Sequence, residues 1–192
     1  LEWNKFFKSH SFTENQIRVI LFKKQREKIG HWLLRNHLKN QKRNVEMKNM
    51  DAFAEAGIFF DASSEECRKT VKAFIKKLEN RNIKTWSVGF FNTLEQEENF
   101  ISDRKLYFST LKDFSFFFLP ESEELKEFIQ RDLDALFVFS DEETFPATAV
   151  VKMSKAKLKV GFTGLFENAF DLTFEIPNHQ PEQLTEQIER YL

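Results

Sequence analysis

Gly57-Ile58-Phe59-Phe60-Asp61-Ala62-Ser63-Ser64-Glu65-Glu66 decides the fold. A short run of apolar, β-favouring residues ends at Asp61 and gives way at once to helix-capping chemistry, with Ser63 and Glu66 at capping-box spacing. A buried strand that turns directly into a helix is the repeating unit of an α/β domain. The helix that follows places Cys67, Val71, Phe74, Ile75 and Leu78 on one face and ends near Asn80.

Downstream the same alternation continues. Thr85 to Phe91 reads as a second strand, Phe114 to Leu119 as another that Pro120 stops, and Glu121 to Arg131 as a helix. Asp134-Ala135-Leu136-Phe137-Val138-Phe139-Ser140 is continuously apolar, as a strand buried on both faces in a parallel sheet must be. Leu158 to Phe162 and Asp171 to Ile176 supply two more strands, and Pro181 to Leu192 a closing helix that buries Leu184 and Ile188. Within Thr93 to Lys112, Leu106-Tyr107-Phe108 reads either as a short strand or as loop. The expected architecture is a three-layer α/β domain with a largely parallel open sheet, Rossmann-like or flavodoxin-like, over residues 51–192.

Residues 1–50 are different in kind. They hold twelve Lys and Arg against four Asp and Glu, a net of +8, while the other 142 residues hold 17 against 26, a net of -9. The overall charge of -1 therefore conceals a basic arm on an acidic body. Ser11 and Glu14 have capping-box spacing, so a helix is expected to begin there. Ile17, Ile20, Leu21, Trp32, Leu33 and Leu34 form an imperfect apolar pattern, with Gly30 set to kink or end it and a polar stretch from Lys39 to Asn44 behind it.

Arg18, Lys23, Lys24, Arg26, Lys28, Arg35, Lys39, Lys42 and Arg43 are the residues this arm offers to an anionic partner. Two such partners suit the pattern. RNA phosphates would meet the cations while aromatics stack on unpaired bases; an anionic membrane surface would take Trp3, Phe6, Phe7 and Trp32 as interfacial anchors. The competing structural reading packs the apolar stripe on the body, or on a second copy in a homo-oligomer, and a protein partner fits as well.

Several stretches resemble an uncharacterised Bacteroidota family known only as a domain of unknown function. They are Gly57 to Ala62, Phe145-Pro146, Ser154-Lys155-Ala156-Lys157, Lys159-Val160-Gly161, Asp171-Leu172 and Gln187 to Leu192. The resemblance implies an α/β fold and carries no assigned activity. Ser140, Phe145-Pro146, a helix and Lys159-Val160-Gly161 are also similar in spacing to the sugar-nucleotide-binding half of some glycosyltransferases, although the glycine loop and basic phosphate ligands expected there are missing.

Ligands of open α/β sheets bind beyond the carboxyl ends of the strands. That rule selects Asp61, Ser63, Ser64, Asn92, Ser140, Asp141 and Thr144 as candidate ligand-binding residues. Asp61, Asp141, Glu142 and Glu143 are hard-cation ligands by type, but acids and serines after strands are ordinary helix caps, so no metal is expected. Five glycines in the whole chain leave little from which to build a phosphate-cradling loop, and no cofactor is expected. Cys67 on the apolar face reads as a small hydrophobe; His10, His31, His37 and His179 have no ligand spacing.

A single cysteine suits a reducing compartment, and no stretch reads as a membrane span or, in Leu1 to His10, as a signal peptide. A cytoplasmic protein, peripheral to a membrane if the arm binds lipid, is the expected setting. These readings favour a noncatalytic binding module over an enzyme. The alternative is a small-ligand or nucleotide-sugar-binding enzyme that uses the strand-end crevice.

Overall fold

A computed structural model describes residues 22–95, 100–103 and 105–192. The arm's first capping box, Arg18 and the aromatics Trp3, Phe6 and Phe7 lie outside the described residues.

Six parallel strands form one open sheet in the order β3-β2-β1-β4-β5-β6. In chain order the elements are α1 (Lys23–Lys39), β1 (Glu55–Asp61), α2 (Glu65–Asn80), β2 (Lys84–Phe90), β3 (Leu106–Ser109), α3 (Glu123–Gln130), β4 (Ala135–Phe139), α4 (Phe145–Met153), β5 (Leu158–Phe162), β6 (Leu172–Phe174) and α5 (Pro181–Tyr191). The chain winds outward from β1 to β3, then returns to the centre and winds the other way from β4 to β6, so the strand order reverses between β1 and β4.

Side-chain alternation distributes the apolar run over two cores. Ile58, Phe60, Phe137, Phe139, Val160 and Phe162 pack with Val71, Phe74 and Leu78 of α2 and with Leu184 and Ile188 of α5. Phe59, Val88, Phe90, Leu136 and Val138 face the opposite side, where Leu125 and Ile129 of α3 and Val150 and Val151 of α4 cover them. Every residue of β4 and β5 is buried, which explains why neither shows a polar alternation.

Three expectations are corrected. Phe114 to Leu119 is not a strand but a tight turn, in which the Ser115 amide donates to the Leu119 carbonyl and Phe118 adopts a φ of 60°. Its apolarity has another cause: Phe114 and Phe118 are buried under neighbouring elements. The cap of α2 is Ser64, whose Oγ accepts the Cys67 amide at 3.2 Å, because Asp61 already takes the amide and hydroxyl of Ser63. Gly30 neither kinks nor ends α1, which runs on to Lys39. Leu106–Ser109 is a strand, paired with β2.

Helix α1 lies against α4 and the 116–118 turn through Arg26, Gly30 and Leu34, about one residue per turn. A Cβ at Gly30 would overlap the Phe117 carbonyl oxygen and the Phe145 ring, so glycine is what allows the helix to approach. Arg26 donates from Nε to the Phe116 carbonyl at 2.6 Å and stacks over the Phe116 and Phe118 rings. Past the helix, Gln41 and Arg43 bind the turn between α4 and β5, and Arg43 grips Asp171 through two bonds of 2.5 and 2.6 Å. The described part of the arm is therefore packed on the sheet's outer layer.

Candidate functional site

The reversal of strand order between β1 and β4 is where a ligand crevice belongs, and the residues around it are turned inward on one another. Asp61 Oδ1 accepts the Ser63 amide at 2.8 Å and its hydroxyl at 2.7 Å. Arg68 donates back to the carbonyls of Ala62 and Ser63, tying the β1–α2 loop to the helix it opens. Ser64 Oγ occupies the Cys67 amide, one of the donors that would otherwise be offered to an anion at the start of α2.

Cys67 closes the floor. Its Sγ donates to the Phe139 carbonyl at 3.2 Å, and burial, reinforced by the charges of Asp61 and Asp141, pushes the thiol up to about 12. A thiol held protonated is no nucleophile at neutral pH. The space left on the α2 and α5 side, beside Asp61, Ser64, Asp141 and His179, is about 80 Å³. Small-molecule sites run to roughly 300–1,000 Å³.

The seven strand-end candidates do not converge. Asp61, Ser64 and Asp141 line that small cavity, whereas Asn92 and Thr144 line a separate one of about 280 Å³ on the other side of the sheet, roofed by Lys23 and Glu27 of α1. Ser140 is buried and donates its hydroxyl to the Glu142 carbonyl at 3.0 Å. Thr144 caps α4, and Glu143 accepts the Phe166 amide at 2.8 Å. Among the described residues no three His, Cys, Asp or Glu side chains are grouped to hold a metal ion.

The basic arm divides differently. Three of its nine candidates are engaged by the fold: Lys23 lies 3.9 Å from Glu27, Arg26 is buried, and Arg43 is paired with Asp171. Burial pulls the Arg26 pKa down, and the nearby Glu27 charge only partly offsets it. Lys24, Lys28, Arg35, Lys39 and Lys42 are exposed and have no ion-pair partner among the described residues.

At about 100° per residue, Lys24, Lys28, Arg35 and Lys39 fall within about 60° of one another on α1, opposite Arg26, Gly30 and Leu34. Glu27 is the only acid in the helix, and it is paired. Trp32, 60 % exposed, sits beside this stripe with Ile29 next to it. The cations of α1 are plain in the sequence, but which of them face outward depends on the face of α1 that docks. The clue was Gly30, the one position in the helix with no side chain to hold the body away.

Residues 26–192 match the model of a family of unknown function (DUF6913). No curated protein and no solved structure matches the chain. Among the described residues no helix is long and apolar enough to cross a membrane.

Proposed function

The chain belongs to the DUF6913 family, and we propose for it a noncatalytic role: it is a binding module whose helix α1 docks on single-stranded RNA. The observation that carries this reading is the outward stripe of Lys24, Lys28, Arg35 and Lys39, with no ion-pair partner among the described residues and flanked by an exposed Trp32. Cations aligned along one helix face track a phosphate backbone, and one aromatic beside them offers a stacking platform for a base. An interfacial helix on a bilayer instead needs a broad apolar face to bury. In α1 part of the apolar surface is packed on α4 through Gly30 and Leu34, and the exposed remainder, Phe22, Ile29 and Trp32, is a short strip beside four cations rather than a broad face. The strand-end crevice, filled by Asp61, Ser63, Arg68 and Cys67, adds no support for an enzymatic reading.

The test is fluorescence anisotropy of the full chain with a labelled oligouridylate, titrated between 50 and 200 mM salt. The four phosphate contacts of α1 should contribute about -2.8 to the slope of log Kobs against log salt, roughly -0.7 per contact for single strands. Changing Lys24, Lys28, Arg35 and Lys39 together to Gln should abolish binding, and Trp32→Ala should weaken it by about 1–3 kcal/mol, the usual loss of one stacked base. Salt-independent binding, no binding, or binding confined to vesicles rich in phosphatidylserine would sink the proposal.

A further inference from the structure

The cationic stripe of α1 does not stop at the end of the helix. Asn40 and Gln41 close the last turn, with their amides donating to the His37 and Leu38 carbonyls, and the chain crosses to the amino end of the sheet. There a notch of about 260 Å³ is lined by Lys42, Arg43 and Asn44 together with Gln130, Asp132, Lys155 and Lys157.

The charges in this notch are unequal once their partners are assigned. Lys157 bridges Asp132 and Asp134, at 3.3 Å from each, and Arg43 is bound to Asp171. Lys42 and Lys155 are left exposed and without an ion-pair partner among the described residues. The plain structural alternative is that Lys155 neutralises the carboxyl ends of α3 and α4, which both finish here. Other groups already do that. The Lys155 backbone amide donates to the Ile129 carbonyl, Gln41 Nε2 donates to the Met153 carbonyl at 2.7 Å, and Lys159 Nζ donates to the Lys152 carbonyl at 3.0 Å. Arg43 Nη1 holds the Ala156 and Lys157 carbonyls inward, at 3.0 and 3.2 Å, which fixes the loop that carries Lys155. Each helix end contributes only about half a negative charge, less than two free ammonium groups supply.

We infer that Lys42 and Lys155 form a phosphate seat, with the side-chain amides of Asn44 and Gln130 available as further donors, and that it receives the RNA backbone where it leaves α1. The inference rests on the RNA-binding reading and extends it from a helix face to a track. Along α1 the track covers about 22 Å from Lys24 to Lys39, at 1.5 Å per residue, before it reaches the notch.

The experiment repeats the salt titration of the full chain with the labelled oligouridylate for two double variants. Lys42→Gln with Lys155→Gln should make the salt slope shallower by about 1.4, two contacts at roughly 0.7 each. Lys72→Gln with Lys76→Gln removes two exposed lysines from α2 on the far face and should leave the slope unchanged. If the notch variant keeps the full slope while the α1 variants lose binding, the seat is wrong and the helix reading stands. Should both double variants flatten the slope equally, the effect is general charge and the seat is also wrong. If the unmodified chain does not bind at all, the RNA-binding reading itself falls. Because Lys42 and Lys155 have no ion-pair partner to lose among the described residues, unchanged thermal unfolding of the notch variant confirms that the slope reports contacts rather than folding.

Discussion

The two ends of the sheet were given opposite tasks. At the carboxyl end, where open α/β sheets hold their ligands, Asp61, Ser63, Ser64 and Cys67 make hydrogen bonds over short sequence distances and leave about 80 Å³ on the α2 side, with the cavity of about 280 Å³ under α1 on the other. At the amino end the contacts are long-range: Arg43 reaches Asp171, Lys48 and Lys157 reach Asp134, and Asp134 in turn accepts the amides of Ala54 and Glu55. A local plug can be removed with little consequence, whereas a long-range tie joins elements that are distant in the chain. The difference teaches that one doubly wound sheet can close its switch point with local hydrogen bonds while long-range ion pairs tie its opposite end.

The comparison can be broken or sharpened by substitution, beginning at the amino end. Lys159 is buried in β5, where desolvation, with the Arg43 charge adding to it, brings its pKa down to about 7. Its folded-state pKa lies below the unfolded value, so the folded state disfavours the proton. Stability is lowest at and below pH 7 and rises as pH climbs toward 10.5. Lys159→Met should therefore stabilise by up to about 5 kcal/mol at pH 6, from about 1.4 kcal/mol per pKa unit between 10.5 and about 7, with a gain that fades toward pH 10. Urea unfolding at pH 6, 8 and 10 checks it; a gain independent of pH would mean that the ammonium is not the source of the cost.

Arg43→Ala leaves Asp171 partly buried and unpaired, and should cost about 3 kcal/mol in the same assay. A loss below 1 kcal/mol would mark the tie as a surface bridge. Between the two ends, Gly30→Ala should destabilise by about 2 kcal/mol, since overlap with the Phe117 carbonyl outweighs a helix-propensity gain of about 1 kcal/mol. The diagnostic is faster amide exchange in α1, because the overlap separates that helix from α4.

At the carboxyl end the expected effects are small. Asp61→Ala removes two exposed hydrogen bonds and should cost under about 1 kcal/mol. It should also lower the Cys67 pKa, because the Asp61 charge contributes to holding it up. Native Cys67 should resist alkylation at pH 7.5 and react only on unfolding. Rapid labelling of the folded chain would show that the crevice is open and reverse the comparison.

Much of this was legible before any coordinates. The run Gly57 to Asp61 followed by helix-capping residues identifies a parallel α/β unit, and the all-apolar stretch 135–139 identifies a central strand, since periodicity and caps are local properties of the chain. The turn at Ser115 to Leu119 was misread because a buried turn and a strand are equally apolar, and only the left-handed Phe118 separates them. The strand-end candidates were placed at the right end of the right strands. Their separation into two cavities was not visible, because it depends on which side of the sheet each loop leaves.

The sequence by itself determined most of the strands and helices and the opposition of a basic arm to an acidic body. Only the tertiary structure decided the strand order, the docking of α1 through Gly30, and the sorting of the arm's cations into Arg26 and Arg43, held by the fold, and Lys24, Lys28, Arg35 and Lys39, facing out. The reason is physical: a residue's charge belongs to its side chain, but whether that charge has a partner depends on what the folded chain brings beside it.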